Sequence, residues 1–168
     1  MSAPSGRAVR PTPARVKEAL FSILGKRIDG ARVLDLFAGS GALGFESLSR
    51  GAAHVTFVES HRRTAEALSL NARTLALADR TTVVVGPAER VAARLAGRYD
   101  IVFADPPFAL PYPAALFGRL RERGAVDAET LVVYEHSSAN AAPDDASFAL
   151  LRTARYGAVT LSFLKAAA

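Results

Sequence analysis

The 168-residue chain contains no cysteine, so disulfides, thiol nucleophiles and cysteine zinc sites are excluded. No run of eighteen apolar residues occurs, and Met1-Ser2-Ala3-Pro4-Ser5-Gly6 lacks the apolar segment of a signal peptide. A membrane span is therefore not expected, and the cytoplasm is the expected location. His54, His61 and His136 are scattered without ligand spacing, so no metal is expected. No serine sits in a nucleophile-elbow pattern. Apart from an alanine bias there is no low-complexity stretch, and there is no internal repeat. What is present is half hydrophobic and 22% charged, the composition of a soluble globular protein. The length suits one domain, burying roughly 70% of its unfolded surface.

Acidic residues are scarce in the first fifth of the chain. Residues 1–32 hold Arg7, Arg10, Arg15, Lys17, Lys26, Arg27 and Arg32 against Glu18 and Asp29. This segment carries the whole net charge of +5, because the remaining basic and acidic residues cancel. Localised basicity attracts phosphate backbones, although a solvated basic tail has the same composition. Pro4, Gly6 and Pro11 keep the start irregular. Thr12-Pro13 then reads as an N-cap and first helical position, opening a helix over residues 13–24. Its apolar face carries Val16, Ala19, Leu20, Ile23 and Leu24. Arg10, Arg15 and Lys17 lie at the helix start or off that face. Cations there oppose the helix dipole, which hints at an external anion.

The organising stretch is Val33–Gly44. An apolar, strand-like run passes directly into Gly39, Gly41 and Gly44, spaced G-x-G-x-x-G, and a helical pattern follows. In that context Gly39 permits a tight turn, Gly41 clears space for a ligand against the backbone, and Gly44 lets the helix approach the strand. The N–H groups of the new helix face a nucleotide-like ligand. Both dinucleotides and S-adenosylmethionine fit this pattern.

The rest of the chain alternates. Helices are expected over Ala42–Arg50, residues 61–77 (capped by Ser60), Ala88–Leu95 and Pro113–Arg123. Strands are expected over His54–Glu59, Thr81–Val85, Tyr99–Ala104 and Thr130–Glu135. Such alternation predicts an α/β fold with a parallel sheet covered on both faces. The helix over 61–77 should bury Ala65, Leu68, Ala72 and Leu75. Two final strand-like runs, Phe148–Thr153 and Ala158–Leu164, are separated by only Ala154–Gly157. A link that short makes the last pair antiparallel.

Three acids narrow the ligand. Glu59 closes the second strand twenty residues after Gly39, the place of an acid that accepts ribose hydroxyls. Asp35 lies inside the apolar first strand, where a carboxylate is costly unless paired. A ligand carrying an ammonium and a sulfonium would pair it; otherwise it caps the N–H groups of the loop. Asp105-Pro106-Pro107-Phe108 follows the fourth strand at the carboxyl edge of the sheet, where open α/β folds bind ligands. The prolines stiffen the backbone and remove competing N–H donors. A carboxylate and a backbone carbonyl, each accepting one N–H, localise the lone pair of an exocyclic amine. Phe108 can stack on a base drawn out of its helix. Methyl transfer then depends on in-line positioning. Glu135-His136, ending the fifth strand, either shapes the same edge or is a satisfied strand-end pair.

VLDLFAGSGALGFESLSRGA from Val33, VTFVE from Val55 and DIVFADPPF from Asp100 together resemble one known family. It is the bacterial 16S rRNA (guanine(966)-N2)-methyltransferase family, which modifies a guanine in small-subunit ribosomal RNA. RPTPARVKEALF from Arg10 and Arg155-Tyr156-Gly157 resemble its flanking segments, so the likeness spans nearly the whole chain. The resemblance implies a Rossmann-like class I methyltransferase fold: a seven-stranded, mostly parallel sheet with helices on both faces and an antiparallel C-terminal hairpin. It implies S-adenosylmethionine as cofactor, with Asp35, Gly39, Ser40 and Gly41 at the methionine part and Glu59 at the ribose. Phe37, Ser60, Ala88 and Asp105 complete the implied cofactor set. Asp105, Pro106 and Phe108 would hold the target guanine, and Arg7, Arg10, Thr12, Arg15 and Lys17 would face RNA. The implied organisation is an RNA-facing basic segment over residues 1–30 and a single methyltransferase domain over 31–168. The implied partner is 16S rRNA in an assembling small ribosomal subunit, met by a monomer.

The chain departs from the family twice. Gly86-Pro87-Ala88 stands where an acid usually meets the adenine amino group, and only nine residues precede Arg10 where a glycine-rich β segment is usual. A DNA or protein amino-methyltransferase, a nicotinamide oxidoreductase and an RNA-binding assembly factor with a decayed cofactor site remain alternatives at this point.

Overall fold

A computed structural model describes residues 14–168. Arg7, Arg10, Thr12 and the expected Thr12-Pro13 helix start lie outside the described residues. The first helix, α1 (Ala14–Leu24), buries Val16, Leu20, Phe21 and Leu24. Phe21, absent from the expected face, is 2% exposed and meets Phe103 edge-on at 6.0 Å between ring centroids, whereas Ala19 is only half-buried.

Seven strands form one sheet: β1 (Arg32–Leu36), β2 (His54–Glu59), β3 (Thr81–Val85), β4 (Ile101–Ala104), β5 (Leu131–Ser137), β6 (Phe148–Tyr156) and β7 (Val159–Ala166). Their order is β3-β2-β1-β4-β5-β7-β6. β1 through β5 are parallel to one another, and β7 is antiparallel to both β5 and β6. The central strands are apolar on both faces, as parallel strands under two helical layers must be. One core holds Val33, Phe57, Phe103 and Phe163 against α1, α2 (Ala42–Ser49) and α3 (Arg62–Thr74). The other holds Leu36, Val102, Ala104 and Tyr134 against α4 (Ala88–Ala92) and α5 (Ala114–Glu122).

Several local expectations are corrected, among them the helix expected over Ala88–Leu95, which ends at Ala92, and the strand expected from Tyr99, which begins at Ile101. The helix expected to run to residue 77 ends at Thr74. Ala76 turns left-handed (φ 58°), and the Leu77 N–H donates to the Ala72 carbonyl at 2.7 Å, closing the helix end with a reverse turn. Leu75 is consequently 52% exposed, and Leu77 takes its place against the core. Ser60 does not cap α3. The cap residue is His61, without a side-chain cap bond, and the Ser60 hydroxyl meets His61 Nδ1 at 3.3 Å. At the C-terminus, Ala154, Arg155 and Tyr156 belong to β6, leaving Gly157-Ala158 as the turn, with Gly157 at φ 62°. Pairing with β7 extends the strands beyond what their own apolar pattern shows. Finally, β5 does not end at Glu135 but continues through Ser137, held by β7.

Candidate functional site: a cavity at the carboxyl edge

β1 lies between β2, which leads one way across the sheet, and β4, which leads the other. Such a switch point opens a crevice at the strand ends. There a cavity of about 400 Å³ is lined from β1 by Asp35, from the following loop by Phe37, Gly39 and Ser40, and from the end of β2 by Glu59 and Ser60. Ala88 closes one side, and Asp105, Pro106 and Phe108 close another.

The loop after β1 is wound by local backbone requirements. Phe37 (φ 54°) and Gly39 (φ 57°) are left-handed. That conformation strains a bulky residue such as Phe37, and strain of this kind collects at ligand sites. The Ala38 N–H donates to the Val58 carbonyl at 3.0 Å, and the Gly41 N–H to the Ala38 carbonyl at 2.9 Å. Gly41 caps α2 at φ 82°, and a Cβ there would lie 2.6 Å from Leu68 and 2.7 Å from Phe45. Gly41 is not in the cavity wall. Leu68 and Phe45 fill the space a Cβ would need, so glycine here serves the turn and the packing behind it. Gly44 behaves as expected. A Cβ there would come within 2.2 Å of the Phe57 ring, so only glycine lets α2 lie so close on β2.

Both upstream acids are built into this loop. Glu59 is 5% exposed. Its Oε1 accepts the Gly39 N–H at 2.9 Å, and its Oε2 accepts the His61 N–H at 2.8 Å. Asp35 is 2% exposed, and its Oδ2 accepts the Gly44 N–H at 3.1 Å. Burial pushes the Asp35 carboxyl well above its ordinary range; the Gly44 hydrogen bond opposes this, and the nearby Glu59 charge adds to it. An ionised Asp35 is thus held at a cost that a cationic ligand would relieve.

Beyond β4, Asp105 follows Ala104, which pairs with Leu36 of β1, so this acid emerges beside Phe37. Pro106 is buried, while Asp105 and Phe108 are half-buried, with Phe108 packed on the core beneath α1. Tyr112, four residues on, packs edge-on against Phe117 and Tyr134, each at 5.4 Å, and donates its hydroxyl to Asp145 at 2.9 Å. That anchor holds the far end of the proline-rich loop.

Several wall residues were not anticipated: Leu43, Val58, His61, Glu89 and Leu110. Glu89 matters most, because it sets a carboxylate in the first turn of α4, beside the Gly86-Pro87-Ala88 stretch that lacks one. Its position three residues after Gly86 was the available signal. Glu135 and His136 are buried but absent from the cavity wall. His136 Nε2 meets the Ser162 hydroxyl at 2.7 Å, and burial lowers its pKa. Arg15 is exposed on α1, whereas Lys17 pairs with Glu46 of α2 at 3.3 Å. Among the described residues no helix is long and apolar enough to cross a membrane.

The family described as conserved hypothetical protein 95 matches residues 1–165. Ribosomal RNA small subunit methyltransferase D of Escherichia coli (strain K12) is 39% identical over 140 residues, covering 83% of this chain and 70% of its own. The provisionally named rRNA methyltransferase YlbH of Bacillus subtilis (strain 168) is 33% identical over 169 residues, covering 98% and 92%. Among solved structures, the provisionally named methyltransferase yhhF of Escherichia coli superposes with a TM-score of 0.87 at 36% identity, covering 99% of this chain and 91% of that one. These relatives do not favour a DNA- or protein-directed enzyme, a nicotinamide enzyme or a decayed site. The chain belongs to the conserved hypothetical protein 95 family, that of the small-subunit rRNA methyltransferases D, as its motifs implied.

Proposed function

We propose that this protein is an S-adenosylmethionine-dependent methyltransferase acting on the exocyclic N2 amine of a guanine in 16S rRNA. One observation carries the reading. The glycine loop with Asp35 and Glu59, and the segment Asp105-Pro106-Pro107-Phe108, line one and the same cavity. Its volume suits a small-molecule cofactor with part of a second substrate.

The residues present fit the cofactor. Asp35, buried and close to a second acid, favours a cationic group. Glu59 has each oxygen fixed by a backbone N–H, and Oε2 also meets His61 Nδ1 at 3.2 Å, which leaves acceptor capacity on Oε1 for a ribose hydroxyl. Phe37, Val58 and Ala88 offer apolar surface to an adenine, and Glu89 supplies an acceptor for its amino group. When bound, S-adenosylmethionine supplies a methyl group on a sulfonium, open to in-line displacement. Gly39 and Ser40 form the backbone wall beside the methionine part. Gly41 sets the turn that holds them.

Facing them, the Asp105 carboxylate and the Pro106 carbonyl accept the two N–H bonds of the target amine. This withdraws the amine lone pair from the guanine ring and aims it at the methyl group. Phe108 supports the base by stacking, and fixed geometry supplies most of the acceleration. The names of the relatives support rRNA as substrate. Arg15, exposed on α1, approaches the RNA backbone, and Arg7, Arg10 and Thr12, which precede that helix in the sequence, contact RNA as well. Lys17 joins them through a shared pair with Glu46. A base that must leave its stack is more accessible in a subunit still assembling, so such particles are the proposed substrate, met by a cytoplasmic monomer.

The test is the variant Asp105→Ala. It should keep the thermal midpoint and bind S-adenosylhomocysteine by calorimetry, yet transfer methyl groups to small-subunit particles at least about a hundredfold more slowly. Unchanged transfer would overturn the assignment. Mapping the methylated nucleotide in the wild-type reaction identifies the base.

A further inference from the structure

The C-terminal hairpin carries charge of one sign. From Phe148 to Ala166 it contains Arg152, Arg155 and Lys165 and no acidic residue. β6 is the outer strand at one end of the sheet, and most of its residues are exposed. Because β7 runs antiparallel to β5, with Ser137 opposite Val159, the β6–β7 turn lies at the carboxyl edge of the parallel strands. That is the edge on which the cavity opens.

The register fixes where each cation sits. Arg155 pairs with Thr160, which pairs with His136 of β5, two positions past the level of Ala104. It is therefore level with Pro106, and its Nε donates to the Gly157 carbonyl at 3.3 Å, which keeps it beside the turn. Arg152 pairs with Phe163 at the level of Val133, farther back along the same outer strand and, three positions from Arg155, on the other face of the sheet. From α1, the Arg15 guanidinium approaches within 4.0 Å of where a Cβ on Gly157 would stand. β4 and β6 are three strand spacings apart, about 14 Å, which brings the phosphates flanking an inserted base within reach of the hairpin.

We propose that the outer strand β6 is an RNA-docking rail, with Arg155 and Arg152 reaching from its two faces to backbone phosphates that run along the edge on one side of the target nucleotide. The inference rests on the rRNA reading above and extends the RNA surface from the N-terminal helix to the C-terminal hairpin. Charge complementarity selects the occupant, since an acid-free, arginine-bearing edge suits a polyanion. Arginines on an outer strand also discourage edge-to-edge aggregation, as does the bulge between Leu150 and Arg152. Charge reversal separates the two roles, because a glutamate blunts an edge as well as an arginine does but repels phosphate.

The experiment compares wild type, Arg152→Glu/Arg155→Glu, Arg152→Gln/Arg155→Gln and Lys165→Glu. Lys165 pairs with Ala149 near the opposite end of the hairpin, so its reversal tests a charge change of half the size placed away from the proposed contacts. Binding to a 16S rRNA transcript is measured as a function of salt, alongside thermal midpoint and S-adenosylhomocysteine affinity. The double reversal should weaken RNA binding at least tenfold and lower the slope of log K against log salt by roughly 1.4, the value for two single-strand phosphate contacts. The glutamine pair should show a smaller loss of the same kind. Lys165→Glu should bind like wild type, and all variants should keep their cofactor affinity. If wild type binds and methylates rRNA but the double reversal retains both affinity and slope, the rail is wrong and the functional reading stands. If wild type neither binds nor methylates rRNA, both fall.

Discussion

Replacing Gly44 by alanine tests how closely α2 is held against the sheet. Two opposing effects act. Alanine in place of glycine within a helix gains about 1 kcal/mol of intrinsic propensity. Against this, the new methyl would stand 2.2 and 2.6 Å from two carbons of the Phe57 ring and 2.9 Å from Val55 Cγ1. Ordinary carbon contacts begin near 3.5 Å, so the ring or the helix must move by roughly an ångström. The ring has nowhere to go. Phe57 is fully buried, and the Phe45 ring lies 4.9 Å away at 42°. Overpacking of a closed core costs typically about 1–3 kcal/mol, and this contact stands at the upper end. The net effect is a destabilisation of about 2 kcal/mol, which for a chain of this length lowers Tm by roughly 4–8 °C.

The matched control is Gly118→Ala in the middle of α5. A Cβ there meets nothing within 4 Å, so only the propensity gain remains. Its Tm should rise by roughly 2–4 °C, for a gain of about 1 kcal/mol. Calorimetric or circular-dichroism melts of the two variants under one buffer decide the matter. Equal shifts of the same sign, or a Gly44→Ala variant as stable as wild type, would refute the packing argument. A further consequence separates fold from site. The Gly44 N–H holds the Asp35 carboxylate, so a displaced α2 should also weaken S-adenosylhomocysteine binding, whereas Gly118→Ala should leave it untouched.

Two other predictions concern the buried acids. With its folded pKa raised by burial, Asp35 contributes stability that is present below the ordinary carboxylate pKa and lost as pH rises through the elevated value. Asp35→Asn, which still offers an acceptor to the Gly44 N–H, should therefore melt higher than wild type at pH 7 and equally in acid. It should also bind S-adenosylmethionine roughly tenfold or more weakly, the loss of a charge-assisted contact. Wild-type affinity measured by calorimetry should rise with pH as Asp35 ionises, and that dependence should vanish in the variant; a flat wild-type profile would remove Asp35 from the cofactor site. Glu59→Gln leaves either the Gly39 or the His61 N–H facing an amide NH2, so it should lose about 1–3 kcal/mol of stability as well as cofactor affinity. A variant as stable as wild type would show that those two bonds do not hold the loop.

Strand–helix alternation was readable because each element obeys one period and ends at a chain breaker. His54–Glu59 and Thr81–Val85 coincide with the strands residue for residue. The errors fall where tertiary partners decide. Ala76 carries no sign that it turns left-handed, and the helix ends there because Leu77 reaches the core. The final hairpin is longer than its pattern suggests because β7 supplies partners to residues such as Arg155 that have no apolar reason to be extended. Likewise, Gly41 and Gly44 share one motif but face different neighbours, Phe45 and Leu68 for one and Phe57 for the other, which spacing alone does not distinguish. Cavity residues brought in from another element were the hardest to see. Glu89 became visible as a wall residue only once α4 was placed beside β1 and β2.

Of the two readings of Asp35 offered by the sequence, the cap for backbone donors is observed, and it is compatible with the proposed role as ligand for a cation. A carboxylate has two oxygens and about four lone-pair directions. The Gly44 N–H occupies one of them at 3.1 Å, which fixes the side chain in the strand-to-helix junction without neutralising it. Glu59 is wired by two N–H donors and Asp35 by the one at Gly44, and burial lifts the pKa of Asp35. The less satisfied of the two acids is thus the one with more to gain from a cation. A loop that was fully capped internally would be more stable and would bind the cofactor less tightly. On the proposed reading, the stability withheld at Asp35 is the margin from which cofactor affinity would be drawn, and the opposite shifts expected for Tm and affinity in Asp35→Asn express that single cause.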